Sequence, residues 1–433
     1  MRPIKISAQC ELVTPMLSSG ADQRKFELRA TSVKSALRFW WRAFHPLDAE
    51  DLYEEESRLF GNTELSSRFG LILREKNIQL WRPGDEHGWG EGLQYILFSI
   101  NQPERRGGGR YTPARISPGR YGRSVAKPGS TFEINIMLPG IKSKKTLGDI
   151  LCSLWLVENL GGLGARTRRG CGCFKITNLS VSGTSLKSNG SSLPRFFREN
   201  NEPPKDFIVQ GLSKIWKRWG TLDRKKTPNF TCFYLKSSEV WILYKKSCKA
   251  IELIELIGSC MRSFRLRNPH TEAEEMHWAL STTTPPSSEL LTGIKSYLGL
   301  PIIYNFKQNF GNLYGPNLRA GGRNLQYVLT TVKVDKSGQP KKDSQGEYIE
   351  GNGRRSSPLL ISCHDDGTNA WSVICHFPAP LLPSDEKLWF KANAGNGALD
   401  VICSPPYSQG LKFARDLIKN IYKKVDNVIC IKN

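Results

Sequence analysis

Thr31-Ser32-Val33-Lys34-Ser35-Ala36-Leu37-Arg38-Phe39-Trp40-Trp41-Arg42-Ala43-Phe44 carries two patterns at once. Val33, Ala36, Leu37, Trp40, Trp41 and Phe44 fall at i, i+3, i+4, i+7, i+8 and i+11, which is one face of a helix. Thr31 or Ser32 supplies a hydroxyl for its N-cap. Lys34, Arg38 and Arg42 recur every fourth residue, a basic ridge with no Asp or Glu inside the helix to neutralise it. The ridge reads either as a phosphate-binding surface or as a solvated face. Glu54-Glu55-Glu56, just downstream, can absorb one of its charges. His45, ahead of Pro46, stands where a C-terminal cap belongs.

Before this helix, residues 4–13 alternate apolar and polar as a half-buried strand does, and Thr14-Pro15 ends the run. After it the pattern predicts a second helix over 49–59, stopped by Gly61-Asn62, and strands over 70–74, 94–100 and 132–138. A helix follows over 147–160, broken by Gly161-Gly162, and alternation resumes over 173–181. Strand, helix, strands, helix, strand is the order of a ferredoxin-like (βαββαβ) domain with insertions, placed at 1–181. Polar residues, glycines and Pro203-Pro204 make 182–204 a linker. The remainder, 205–433, predicts helices over 205–219, 250–264, 272–279 and 410–423. Its strands are expected over 231–235, 240–243, 325–334, 359–363, 370–376 and 428–431. The class is α+β, a second ferredoxin-like unit is expected there, and no short-period repeat is evident.

Composition narrows the partners. The 433 residues include 62 Lys+Arg against 40 Asp+Glu, a formal net charge of +22 that favours polyanions. Hydrophobic residues make up 39%, with 11 Trp, 19 Phe and 13 Tyr, enough for a packed core. No apolar run is long enough to span a bilayer, and Met1-Arg2-Pro3-Ile4-Lys5-Ile6 opens no signal core, so nucleic acid leads membrane. The 11 cysteines form no Cys-x-x-Cys pair; the closest approach is Cys171-Gly172-Cys173, without a second pair at zinc spacing. They read as reduced, cytoplasmic thiols filling core gaps, and neither metal nor cofactor is expected.

Two stretches carry the cationic chemistry. Gly161-Gly162-Leu163-Gly164-Ala165-Arg166-Thr167-Arg168-Arg169-Gly170-Cys171-Gly172 packs five glycines and three arginines into twelve residues. Glycine lets backbone approach a phosphate, consecutive N–H groups can cup its oxygens, and guanidinium forks match it. The loop is neither a Walker loop nor a dinucleotide fingerprint, because it leaves a helix to enter a strand. A plain Gly-rich turn is the bland alternative. The second stretch, 105–127, holds Arg105, Arg106, Arg110, Arg115, Arg120, Arg123 and Lys127 with no acidic residue, and Tyr111 and Tyr121 offer stacking faces. It reads as an RNA-binding insertion or as a solubilising loop. Catalytic arrangements are missing: the six histidines form no His-Glu-x-x-His, and His364-Asp365-Asp366-Gly367 suits a hairpin turn better than a metal phosphohydrolase.

The run Glu27-Leu28-Arg29-Ala30 through Leu37-Arg38-Phe39-Trp40-Trp41-Arg42-Ala43 closely resembles the RAMP superfamily of CRISPR proteins, in particular the first subunits of type III-B (Cmr) complexes. Thr14-Pro15 before a Gly-containing loop, the Gly161–Gly172 loop, Leu298-Gly299-Leu300-Pro301-Ile302 and Arg354-Arg355-Ser356-Ser357-Pro358-Leu359 agree with it. Ser35, Ser18-Ser19-Gly20, Cys171 and Cys173 depart from the family pattern. The resemblance implies two ferredoxin-like (RRM-like) domains and a non-catalytic subunit. Such a subunit holds the 3′ part of the CRISPR RNA and helps capture target RNA beside the other Cmr RAMP subunits. A Cas6-like RAMP endoribonuclease and a stand-alone RNA-binding protein are the competing readings. Against the first, the Cas6-like loop sits near the C-terminus, whereas more than half of this chain follows Gly172.

Overall fold

Alternation in β1 (Ile4–Leu12) sends Ile4, Ile6, Ala8, Cys10 and Leu12 inward and leaves Lys5, Ser7, Gln9 and Glu11 on the opposite side. The computed structural model describes residues 3–22, 25–47, 49–81, 89–97, 124–139, 144–184, 193–220, 233, 238–267, 302–306, 325–352, 356–377, 382, 384–392, 401–403 and 407–431. After β1 come α1 (Ala30–Phe44), α2 (Ala49–Phe60), β2 (Gly70–Asn77), β3 (Leu80–Trp81), α3 (Glu91–Leu97), β4 (Val125–Ala126), β5 (Thr131–Leu138), α4 (Lys144–Leu160) and β6 (Phe174–Ser182). α1 buries Val33, Leu37, Trp40, Trp41, Ala43 and Phe44, the face its periodicity marks. It starts one residue before the expected hydroxyl cap, with Arg29 in the cap position and no side-chain capping bond. The Arg29 carbonyl accepts from the N–H groups of Ser32 and Val33 instead.

One expectation fails in this half. Residues 94–97, expected within a strand over 94–100, lie in α3; residues 98–100 fall outside the described residues. Tertiary contact decides the matter. The α3 N-terminus receives the carboxylate of Glu255 from far along the chain, and Gly92 brings its backbone against another helix.

The second half contains α5 (Pro204–Trp219), β7 (Glu239–Lys245), α6 (Ala250–Arg267), β8 (Ile302–Phe306), β9 (Leu325–Lys333), β10 (Leu359–Asp365), β11 (Ala370–His376), β12 (Glu386–Ala392), β13 (Val401–Cys403), α7 (Tyr407–Tyr422) and β14 (Asn427–Ile431). Gly367, at φ 91°, turns β10 into β11 while Asp366 accepts from the Thr368 and Asn369 N–H groups, so this segment is a hairpin. The helix expected over 272–279 lies outside the described residues, as does the strand over 231–235 apart from Phe233.

Two antiparallel sheets share one topology. The first runs β2-β5-β1-β6 and the second β10-β11-β7-β14. Each reads second, third, first, fourth strand of its own β-α-β-β-α-β run. A third sheet, β13-β12-β9-β8, is built from the connections of the second run. The two main sheets are stacked through a shared helical layer. Along β11, Trp371, Val373 and Cys375 join the core formed by α1 and α4, whereas Ala370 and Ile374 join the core formed with α6 and α7. β7 alternates likewise, with Val240 and Ile242 on one side and Leu243 on the other. α5 packs back onto α4: Phe207 meets Trp155, and Arg218 and Trp219 both reach Asp149 at 3.0 Å. The second sheet is therefore covered on both faces. In the first, the side bearing Lys5, Ser7 and Gln9 lies opposite the helices.

Candidate nucleic-acid interface

The Gly-rich loop closes the end of α4 and wedges between the two stacked units. Its backbone is stitched to the segment after β1: Ala165 N–H donates to Leu17 O at 2.7 Å and Gly172 N–H to Pro15 O at 2.8 Å. Leu163 N–H donates to Gly172 O at 2.9 Å across the loop's own neck. Gly164 and Gly172 are left-handed, at φ 89° and 70°, and a Cβ on either would run into a backbone carbonyl, of Leu17 and Leu163 respectively. Gly162 is as tightly placed against Cys171 and Gly172, and Gly161 lies under the Trp40 indole. On the far side Gly170 abuts Ile254 and Cys363, and Cys363 N–H donates to the Cys173 sulfur at 3.4 Å. Burial pushes the Cys171 thiol up to about 12 and that of Cys173 to about 11, so both are inert packing groups.

Much of the loop's backbone is engaged within the protein. The N–H groups of Leu163, Ala165, Arg169, Gly170, Cys171 and Gly172 all donate within the protein. These glycines pack closely against neighbouring backbone and side chains. Arg166 opens a single 3-10 turn over Thr167–Arg169 at φ 62°, so the three arginines fan out from a tight corner. All three are half-buried. Arg168 crosses the seam: it donates to Ser357 O at 2.5 Å and its guanidinium lies 5.1 Å from the Phe39 ring of α1. Burial draws its pKa down to about 10, and among the described residues no carboxylate pairs with it. Arg166 is lowered by burial as well. Cations held in a half-buried corner favour an anion arriving from outside.

The α1 ridge turns the other way. Arg38 and Arg42 both pair with the buried Glu56 carboxylate of α2 at 2.7 Å, and Arg38 also donates to Gly61 O. Lys34 lies over the Phe69 ring at 5.6 Å, and burial followed by the Arg38 charge lowers its pKa. Glu56 thus engages two of the three cations but offsets only one charge, so the ridge stays cationic without being the bare face that its spacing suggests. Arg105, Arg106, Arg110, Arg115, Arg120 and Arg123 lie outside the described residues. The segments flanking them converge on the Gly-rich loop. Ala126 of β4 bridges Met16, while Leu17, one residue on, bridges Ala165. On the other flank, Tyr95 of α3 lies under the Arg169 guanidinium.

Tyr95 and Ser357 were not singled out by sequence reasoning. The expected strand hid Tyr95, while Ser357 sits in the Arg354–Leu359 run quoted for the family. Two of the histidines, His364 and His45, are packing groups. His364 is buried, its Nε2 within 3.0 Å of Asn159 O and of Ser362 Oγ, and burial lowers its pKa to about 4. His45 stacks on Trp41 at 4.3 Å. Among the described residues no group of three or more His, Cys, Asp or Glu could hold a metal, and no helix is long and apolar enough to cross a membrane.

Comparison with known proteins agrees with this architecture. The RAMP superfamily model matches residues 9–175, from within β1 to the start of β6, the Gly-rich loop included. The CRISPR system Cmr subunit Cmr1-2 of Pyrococcus furiosus is 29% identical over 182 residues, 39% of this chain and 93% of that protein. Cmr1-1 of the same organism is 32% identical over 162 residues, 36% of this chain and 42% of that protein. The crystal structure of apo Cmr1 from Pyrococcus furiosus aligns over 98% of both chains, with a TM-score of 0.53 and 18% identity. A chain of a type III-B Cmr-β complex bound to cognate target RNA aligns over 97% of this chain and all of that one, with a TM-score of 0.50 and 13% identity. The fold is shared almost end to end.

Proposed function

Because the chain is a RAMP-superfamily protein related to the Cmr subunits of CRISPR systems, we propose that it is the non-catalytic RNA-binding subunit of a type III-B CRISPR ribonucleoprotein. It holds the 3′ region of the CRISPR RNA and aids capture of target RNA in antiviral defence, beside the other Cmr RAMP subunits. Both β-α-β-β-α-β runs are ferredoxin-like (RRM-like) units, at 1–181 and 205–433, joined by 182–204 with α5 folded back onto the first. The observation that carries the reading is the corner of Arg166, Arg168 and Arg169, presented at the junction of both units where the flanks of the basic insertion also meet.

Two measurements test it. Co-expression with the other Cmr subunits and a CRISPR array should yield a complex containing this chain and RNA. Incubation of the purified chain with repeat RNA should leave the RNA intact. Site-specific cleavage of the repeat would identify an endoribonuclease and reject the proposal, and so would failure to enter the complex.

A further inference from the structure

The arginine corner has an aromatic neighbour from a distant segment. Tyr95, half-buried on α3, lies under the Arg169 guanidinium at 5.9 Å. Both border a small, largely enclosed cleft between the units, whose walls include Arg168, Met261, Ser357 and Leu359. The cleft has room for about one water molecule, so a flat ring would lie across its mouth and not enter. Arg166 caps the same tight turn, and its carbonyl accepts the Arg169 N–H at 2.9 Å.

α3 is held in place by the other unit. The two oxygens of Glu255 on α6 accept from Gly92 N–H and Leu93 N–H, each at 2.7 Å, and Arg262 pairs with Glu91 at 2.6 Å. Gly92 and Gly258 let the two helices touch, since a Cβ on either would strike the backbone of the other helix.

We propose that Tyr95 and Arg169 form a stacking step for a nucleobase of single-stranded RNA, with Arg166 beside it for the phosphate. Glu255 is the positioning residue that keeps Tyr95 there. The inference rests on the RNA-binding reading above. Aromatic rings and guanidinium planes both take bases face to face without reading their edges, which suits a subunit that holds guides of any sequence.

The test is a titration of single-stranded RNA carrying a fluorescent adenine analogue, with thermal melts of every variant. Tyr95→Ala should weaken binding by about 5- to 150-fold and abolish the stacking quench, with the salt slope unchanged. Tyr95→Phe should bind like the parent. Arg166→Ala should reduce the magnitude of the slope by about 0.7. Glu255→Ala should reproduce the Tyr95→Ala loss, and the double variant should lose no more than either alone, a non-additivity that general destabilisation does not produce. Glu255→Gln, which keeps an acceptor, should recover part of the affinity. If Tyr95→Ala binds and quenches like the parent, the stacking step is wrong; additive losses would remove Glu255 from it. If Arg166→Ala and Arg169→Ala together leave salt-dependent binding untouched, the RNA reading of the corner falls, and this inference with it.

Discussion

Trp40→Ala should destabilise both halves of the chain together, because Trp40 lies in the layer that both sheets use. The indole is 3% exposed and covers Gly161 at the mouth of the Gly-rich loop. It meets Phe377, at the end of β11, edge-on at 6.2 Å, and touches Phe39 and Phe44 within its own helix. Truncating a buried aromatic costs about 3–5 kcal/mol. The edge-on pair across the seam adds about 1 kcal/mol, which puts the loss in the upper part of that range. Urea unfolding followed by far-ultraviolet circular dichroism and by tryptophan fluorescence measures it. Stacking of the two sheets through α1 and α4 predicts coincident transitions for the two probes, displaced together in the variant with unchanged slope. A loss below about 1 kcal/mol, or two transitions of which only one moves, would refute the shared-layer account.

Arg168→Ala should destabilise the chain by about 1–3 kcal/mol, since it removes the bond to Ser357 O and the contact with Phe39, and urea unfolding would show it. The pKa of His364 falls from its ordinary 6.5 to about 4 on burial, so the unfolded chain takes up the proton first as pH drops. Its share, roughly 3 kcal/mol, is present above pH 6.5 and lost on the way down to about 4; His364→Gln should flatten that limb of a stability-against-pH curve. Glu158, wholly buried and accepting from Ile176 N–H at 2.7 Å, has the opposite sign. Burial lifts its pKa from 4.5 to about 8, so its share is present below pH 4.5 and fades as pH rises through 8. Glu158→Gln should therefore melt higher than the parent at alkaline pH and close to it in acid.

Much of this fold is legible in the chain because its signals are local. The stripe of Val33, Leu37, Trp40, Trp41 and Phe44, the alternation of β1, and the Asp366-Gly367 turn each name their own structure. α3 is not legible in this way: Gln94–Leu97 reads as strand, and only a carboxylate some 160 residues away, at Glu255, together with the Gly92–Gly258 contact, makes it helical. The stacking of the sheets is equally hidden. A strand buried on both faces, as β11 is, shows only that something covers it, not that the cover is α1 and α4. At the site, the three arginines of the loop stand out by composition. Charge spacing cannot tell that Glu56 takes Arg38 and Arg42, because that pairing depends on where α2 turns after Pro46. The glycines of the loop announce close backbone approach, but nothing local in the sequence says that the segment approached is Pro15–Leu17.

The central claim is that this chain grips RNA through the arginine corner at the junction of its two units. Its most direct test is the salt dependence of single-stranded RNA binding, measured by fluorescence anisotropy for the parent and for the Arg166→Ala, Arg169→Ala double variant. Binding by phosphate contact predicts a log–log slope of about −0.7 per phosphate for the parent, reduced in magnitude by at least about 0.7 in the double variant, with scrambled RNA binding alike. A parent slope near zero, or a double variant whose slope and affinity match the parent, would contradict the account.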